Sequence, residues 1–170
     1  DLARRERDLI EEEPQPFAVG EVFRSVERMV RPLVEEKGLE LRVVAPERWQ
    51  ALGHPHPLSR VLLNLTTNAL KFTDHGSVEI GVRPLPHRRL EFYVQDTGRG
   101  MTPQQQERLF QPFKERPGSA AGQGHYFSGS GIGLSMARRL LRAMASDLRL
   151  DSSDERGTRF SFVLSSSPRA

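Results

Sequence analysis

The 170-residue sequence predicts an α/β two-layer sandwich: a mixed, mostly antiparallel sheet with helices on one face. Three observations lead there. The length suits one domain, and 36% hydrophobic with 28% charged residues suits a packed core rather than a disordered or membrane chain. Segments with helical and strand periodicity follow in the order helix, strand, helix, hairpin, loop, helix, hairpin. The strand–helix–strand alternation of a parallel doubly wound sheet is missing.

Residues 1–13 read as the end of a helix, with Leu2, Leu9 and Ile10 among charges, and Pro14 and Pro16 stop it. Residues 19–37 repeat apolar positions at helical spacing, with Gly38 as a C-cap. Leu39–Ala45 alternates as a strand. Pro46–Pro57 is expected to be a loop and Leu58–Phe72 a second helix. Ser77–Arg83 and Arg89–Gln95 predict a hairpin, and Thr102–Leu109 a short helix. Phe113–Ser130 is rich in Gly, Ser and Pro and is expected to be a mobile loop. Gly131–Ala145 reads as a third long helix, and Leu148–Asp151 with Thr158–Leu164 as the closing strands. The tail 165–170 is expected to fray.

Composition excludes several functions. Cysteine is absent, which removes disulfides and thiolate metal sites. No apolar run approaches the ~18–20 residues of a membrane span, and the charged start lacks a signal-peptide core. A cytoplasmic setting is the expectation. The net charge is +3 and the isoelectric point about 9.8. The arginines are interspersed with acids, so solvated faces are expected and nucleic-acid binding is not. His54 and His56 lie between prolines without a third metal ligand, and read as surface-loop residues.

Four short motifs carry the chemistry. In the second helix Asn64, Asn68 and Lys71 stand at i, i+4 and i+7 and share one stripe beside apolar faces. An asparagine oxygen is a hard ligand suited to Mg2+, and a lysine one turn away neutralises phosphate. Asp96-Thr-Gly98-Arg-Gly100 follows a strand; its glycines permit close approach of a flat ligand, and its carboxylate accepts a hydrogen bond from an amino group such as that of adenine. Gly129-Ser-Gly131-Ile-Gly133-Leu134 opens a helix, where free N–H groups favour an anion. It is not a Walker A loop, because no Gly-Lys-Ser/Thr follows. Gly157-Thr158-Arg-Phe160 opens the last strand, and the Thr158 hydroxyl is expected near the base. Each alone is compatible with a plain turn or a solvated stripe.

Together and in this order they resemble the N, G1, G2 and G3 boxes of the histidine kinase catalytic domain, a member of the GHKL superfamily. Leu109–Phe113 is similar to the F box. The resemblance covers about residues 17–164 and implies the Bergerat ATP-binding fold, with residues 1–16 as the end of a dimerisation helix and its linker. It implies that Asp96 binds the adenine amino group and that Asn68 ligates Mg2+. Asn64 would support metal or phosphates, and Lys71 would contact phosphate. Gly98, Gly100, Gly129, Gly131, Gly133 and Leu134 would shape pocket and lid. The segment 114–128 would close over the triphosphate, with Arg116, or else Lys114, reaching the γ-phosphate; His125 and Tyr126 are further candidates for nucleotide contact.

ATP-hydrolysing relatives carry a glutamate at the position of Asn64. A neutral amide cannot act as a general base, so water activation is not expected, and Asn64, Lys71 and Arg116 are expected to serve phosphoryl transfer by positioning and charge. None of the five histidines has the helical context of a phosphoacceptor. The implied partners are therefore a separate dimerisation and histidine-phosphotransfer domain and a response-regulator receiver domain. The chain is expected to be monomeric and its parent homodimeric. Ala145-Ser-Asp147 departs from the family's glycine-containing turn. Two other readings remain: a nucleotide-binding regulator that docks partners without transfer, and a serine kinase of the anti-sigma type on the same fold.

Overall fold

The computed structural model describes residues 10–46, 48–110 and 132–165. Helix α1 (Val19–Lys37) forms because Val19, Val22, Phe23, Val26, Val30 and Val34 recur every three or four residues and are all buried. Gly38 ends it in the left-handed conformation (φ 67°), its N–H closing on the Glu35 carbonyl at 3.0 Å. Helix α2 (Pro55–Phe72) buries Leu58, Val61, Leu62, Leu65 and Ala69 along one side. A short helix α3 (Pro103–Phe110) and a longer α4 (Ile132–Ala143) complete the helices among the described residues.

Seven strands appear among the described residues: β1 (Gln15–Ala18), β2 (Glu40–Val44), β3 (Gln50–Gly53), β4 (Ser77–Leu85), β5 (Arg89–Asp96), β6 (Arg149–Asp154) and β7 (Gly157–Ser165). Five make one sheet in the order β2-β4-β5-β7-β6, with β2 and β4 parallel and the other pairs antiparallel. Alternation along these strands splits the sheet into two unlike faces. Val78, Ile80, Val82, Leu90, Phe92, Val94, Phe160 and Phe162 point into the core beneath the helices. Phe92 lies between Phe23 of α1 and Phe162 of β7, with ring centroids 6.1 and 5.2 Å away. The opposite face is polar: Glu91 is bonded to Arg83 and Arg159, and the Tyr93 hydroxyl donates to Glu79 at 2.9 Å. The expected two-layer, mostly antiparallel sandwich is the fold observed.

The structure corrects the reading before α2. Residues 10–14 carry no helix, residues 1–9 lie outside the described residues, and Pro46–Pro57 is not all loop. β1 and β3 pair antiparallel as a separate ribbon, with Pro16 opposite Leu52. A two-stranded ribbon has free edges, so the missing N–H of Pro16 costs no ladder bond there. α2 starts at Pro55 rather than Leu58, since proline in the first turn has no N–H to leave orphaned. His54 is likewise no surface-loop residue: it caps α2, its carbonyl accepts the Leu58 N–H at 3.1 Å, and its Nδ1 is buried. His56 is exposed, with 78% of its side chain accessible.

Candidate functional site

β5 ends at Asp96 and the antiparallel β7 begins at Gly157, so both motifs fall at the same edge of the sandwich. The C-terminal turn of α2 reaches the same edge. There the Phe72 carbonyl accepts the Arg99 N–H at 3.2 Å, and Thr97 N–H bonds Ser77 O at 3.1 Å. The start of α4 packs against α2, where a Cβ on Gly133 would lie 3.9 Å from the Asn64 side chain. Chain segments from four parts of the sequence thus form one wall.

Asp96 is only 5% exposed. Its Oδ1 accepts two backbone N–H groups, from Gly98 at 2.8 Å and Thr158 at 3.2 Å. Burial pushes its carboxyl above the ordinary carboxylate range, and these two hydrogen bonds oppose the rise. Its Oδ2 has no donor among the described residues. Two glycines make this arrangement sterically possible. A Cβ on Gly98 would be 2.8 Å from the Phe72 carbonyl carbon, and one on Gly157 would be 2.8 Å from that of Asp96. Gly157 also has φ 133°, a conformation that side chains rarely adopt. Gly100 (φ 75°) lies against the Asp154 backbone.

Lys71 supplies the second unusual group. Its Nζ is buried and has no hydrogen-bond partner among the described residues. Burial, and then the charge of Arg99, hold its ammonium below the ordinary lysine range. Asn64 and Asn68 lie half-buried two turns and one turn before it, with no hydrogen bond to their side-chain amides among the described residues. Among the described residues, a buried cation without an anion, a buried carboxylate with an oxygen lacking a donor and a stripe of amides suit a polar anionic ligand bearing a hydrogen-bond donor.

Two expected site residues have further contacts within the fold. The Thr158 hydroxyl is engaged with Ser153 Oγ at 2.9 Å, so Thr158 acts on Asp96 through its N–H. Leu134 is 2% exposed and belongs to the core. Arg116, Gly129 and Gly131 lie outside the described residues, as do Lys114, His125, Tyr126 and the F-box residues 111–113. Sequence reading missed Ser153, which accepts the Met101 N–H at 2.8 Å and bonds Thr158, tying the two glycine turns together. Only the β6–β7 register brings it there. A cavity of about 530 Å³ opens at the opposite end of the sandwich, beside His54, Phe17 and Ala143, and none of the expected site residues lines it.

The fold and this edge define a class: a two-layer sandwich with an acid, a lysine and amides gathered where glycine turns meet helix ends. Residues 53–168 match the family model described as histidine kinase-, DNA gyrase B-, and HSP90-like ATPase, and the chain belongs to that family. Similar curated proteins include sensor kinases. They include the sensor histidine kinase RcsC of Escherichia coli K12, 34% identical over 94% of this chain and 17% of the relative. Another is the autoinducer 2 sensor kinase/phosphatase LuxQ of Vibrio cholerae, 30% identical over 96% of this chain and 19% of the relative. The chain therefore spans less than a fifth of the length of these relatives. Full-length ShkA, solved in complex with AMPPNP, superposes with a TM-score of 0.76 at 27% identity, over 93% of this chain and 32% of that one. The catalytic domain of histidine kinase ThkA, at 19% identity and a TM-score of 0.74 over 92% of this chain and 98% of that one, shares the fold. No helix among the described residues is long and apolar enough to cross a membrane.

Proposed function

We propose that this domain binds Mg-ATP and donates its γ-phosphate to a histidine on a separate dimerisation domain, within a two-component signalling protein. The observation that carries the reading is Asp96: a buried carboxylate with Oδ1 held by the Gly98 and Thr158 N–H groups and Oδ2 without a described donor. Such a group accepts a hydrogen bond from the adenine amino group and repels the oxygen that guanine carries at that position. The Lys71 ammonium, without a hydrogen-bond partner among the described residues, supports it, since a phosphate is an anion that suits it. A Mg2+ ion would rest on the amide oxygen of Asn68, with Asn64 beside it, and would neutralise charge on the phosphates during transfer. Both amides have oxygens free for this among the described residues, and the donor set is hard, as Mg2+ requires. Asn64 cannot take a proton from water, so the domain holds ATP for transfer rather than hydrolysis. Arg116 is assigned to the γ-phosphate, and a response-regulator receiver domain to the next transfer.

Calorimetric titration with ATP, ADP and GTP, with and without Mg2+, followed by addition of a dimerisation domain carrying its histidine, tests the proposal. The expected result is adenine-selective, Mg2+-assisted binding, negligible steady-state hydrolysis and transfer to the added histidine. Equal affinity for GTP refutes the role of Asp96. Binding without transfer replaces the kinase reading with that of a regulator that docks partners.

A further inference from the structure

Arg99 stands between the two glycines of the Asp96–Gly100 turn, and the proposed function gives it no role. Its backbone is fixed, because its N–H bonds the Phe72 carbonyl at 3.2 Å. Its side chain is less committed. The guanidinium lies over the Phe72 ring, 5.3 Å from the centroid, and meets Asp74 Oδ2 at 3.4 Å. The two side chains are 58% and 65% exposed, so the pair is screened and weak. Directly before Phe72 stands Lys71, whose buried Nζ has no hydrogen-bond partner among the described residues and feels the positive charge of Arg99. Two cations therefore lie near enough to repel each other, and among the described residues the acid paired with Arg99 is the exposed Asp74.

We infer that Arg99 is a second phosphate-directed cation, parked on Phe72 and Asp74 and released toward the polyphosphate when nucleotide enters. This rests on the nucleotide reading above and adds a residue that reading leaves out. The physical basis is charge balance: a polyanion relieves the repulsion between Lys71 and Arg99, whereas Asp74 neutralises only one of them. A guanidinium suits the part, because it stacks on an aromatic ring in one state and forks onto phosphate oxygens in the other. Asp74 then acts as an internal competitor, and removing it strengthens binding.

A double-mutant cycle on the whole chain tests this. Wild type, Arg99→Gln, Asp74→Asn and the double variant are titrated with ATP and with adenosine, and their thermal unfolding is followed. Both side chains are exposed, so all four proteins are expected to fold. Arg99→Gln should weaken ATP about five- to tenfold and leave adenosine within twofold. Asp74→Asn should tighten ATP about two- to threefold, and should do nothing in the Arg99→Gln background. If wild type binds neither ligand, the nucleotide reading itself fails. If wild type binds ATP and Arg99→Gln binds it equally well, the nucleotide reading stands and this inference is overturned. A gain from Asp74→Asn that persists without Arg99 overturns it as well.

Discussion

Replacing Gly98 by alanine separates the two tasks of the Asp96 turn, packing and ligand binding. The new Cβ would be 2.8 Å from the Phe72 carbonyl carbon and 3.0 Å from Asp96 Oδ1, whereas ordinary contact begins at 3.4 Å. Neither neighbour is a flexible side-chain end. The carbonyl belongs to the last residue of α2, and Oδ1 is held by two N–H groups. The turn or the end of α2 must therefore shift by more than half an ångström. Overpacking of this kind costs roughly 1–3 kcal/mol, a sizeable part of the ~5–15 kcal/mol that holds a domain folded. For a chain of this length about 2 kcal/mol lowers Tm by about 4–8 °C. The control is Gly38→Ala. Gly38 is left-handed (φ 67°) with nothing within 4 Å of its added Cβ, so alanine there costs about 1–2 kcal/mol of backbone strain and no clash. The two variants should lose comparable Tm by calorimetry. Only Gly98→Ala should lose ATP affinity, by tenfold or more, because only it displaces Asp96 and Phe72. Wild-type ATP affinity in Gly98→Ala, or an equal loss in Gly38→Ala, refutes the link between this contact and the site.

Two further expectations rest on the site's polar groups. The Lys71 ammonium is held below its ordinary range by burial and by Arg99, so it deprotonates at lower pH than an ordinary lysine side chain. A phosphate beside it raises that pKa, so ATP binding should take up protons on the alkaline side and weaken as pH rises, with Lys71→Met abolishing the uptake; calorimetry in buffers of different ionisation enthalpy measures it. Ser153→Ala removes the acceptor of the Met101 N–H and the partner of Thr158 Oγ1, leaving polar groups unpaired at a cost of about 1–3 kcal/mol. Chemical denaturation should show that loss, with ATP affinity falling further than in an equally destabilised core variant such as Val61→Ala.

Much of this molecule was determined by local sequence. The period of Val19 to Val34 and the Gly38 cap set α1 to the residue, because apolar repetition and a left-handed cap are local. The four motifs were legible for the same reason: a glycine turn, a stripe on one helix and a helix start are each contained in a few residues. β1 and β3 were not legible, because each is short, one contains Pro16, and neither is a strand without the other. Sheet order was decided only by the tertiary structure, which inserts β7 between β5 and β6. That choice brings Thr158 to Asp96 across 62 positions, Ser153 to Met101 across 52, and the end of α2 to the Gly98 turn. It also commits the Thr158 hydroxyl to Ser153 and Leu134 to the core. A residue's type sets which bonds it is able to make; which bond it does make depends on the neighbours that long-range packing delivers, and these are absent from the sequence around it.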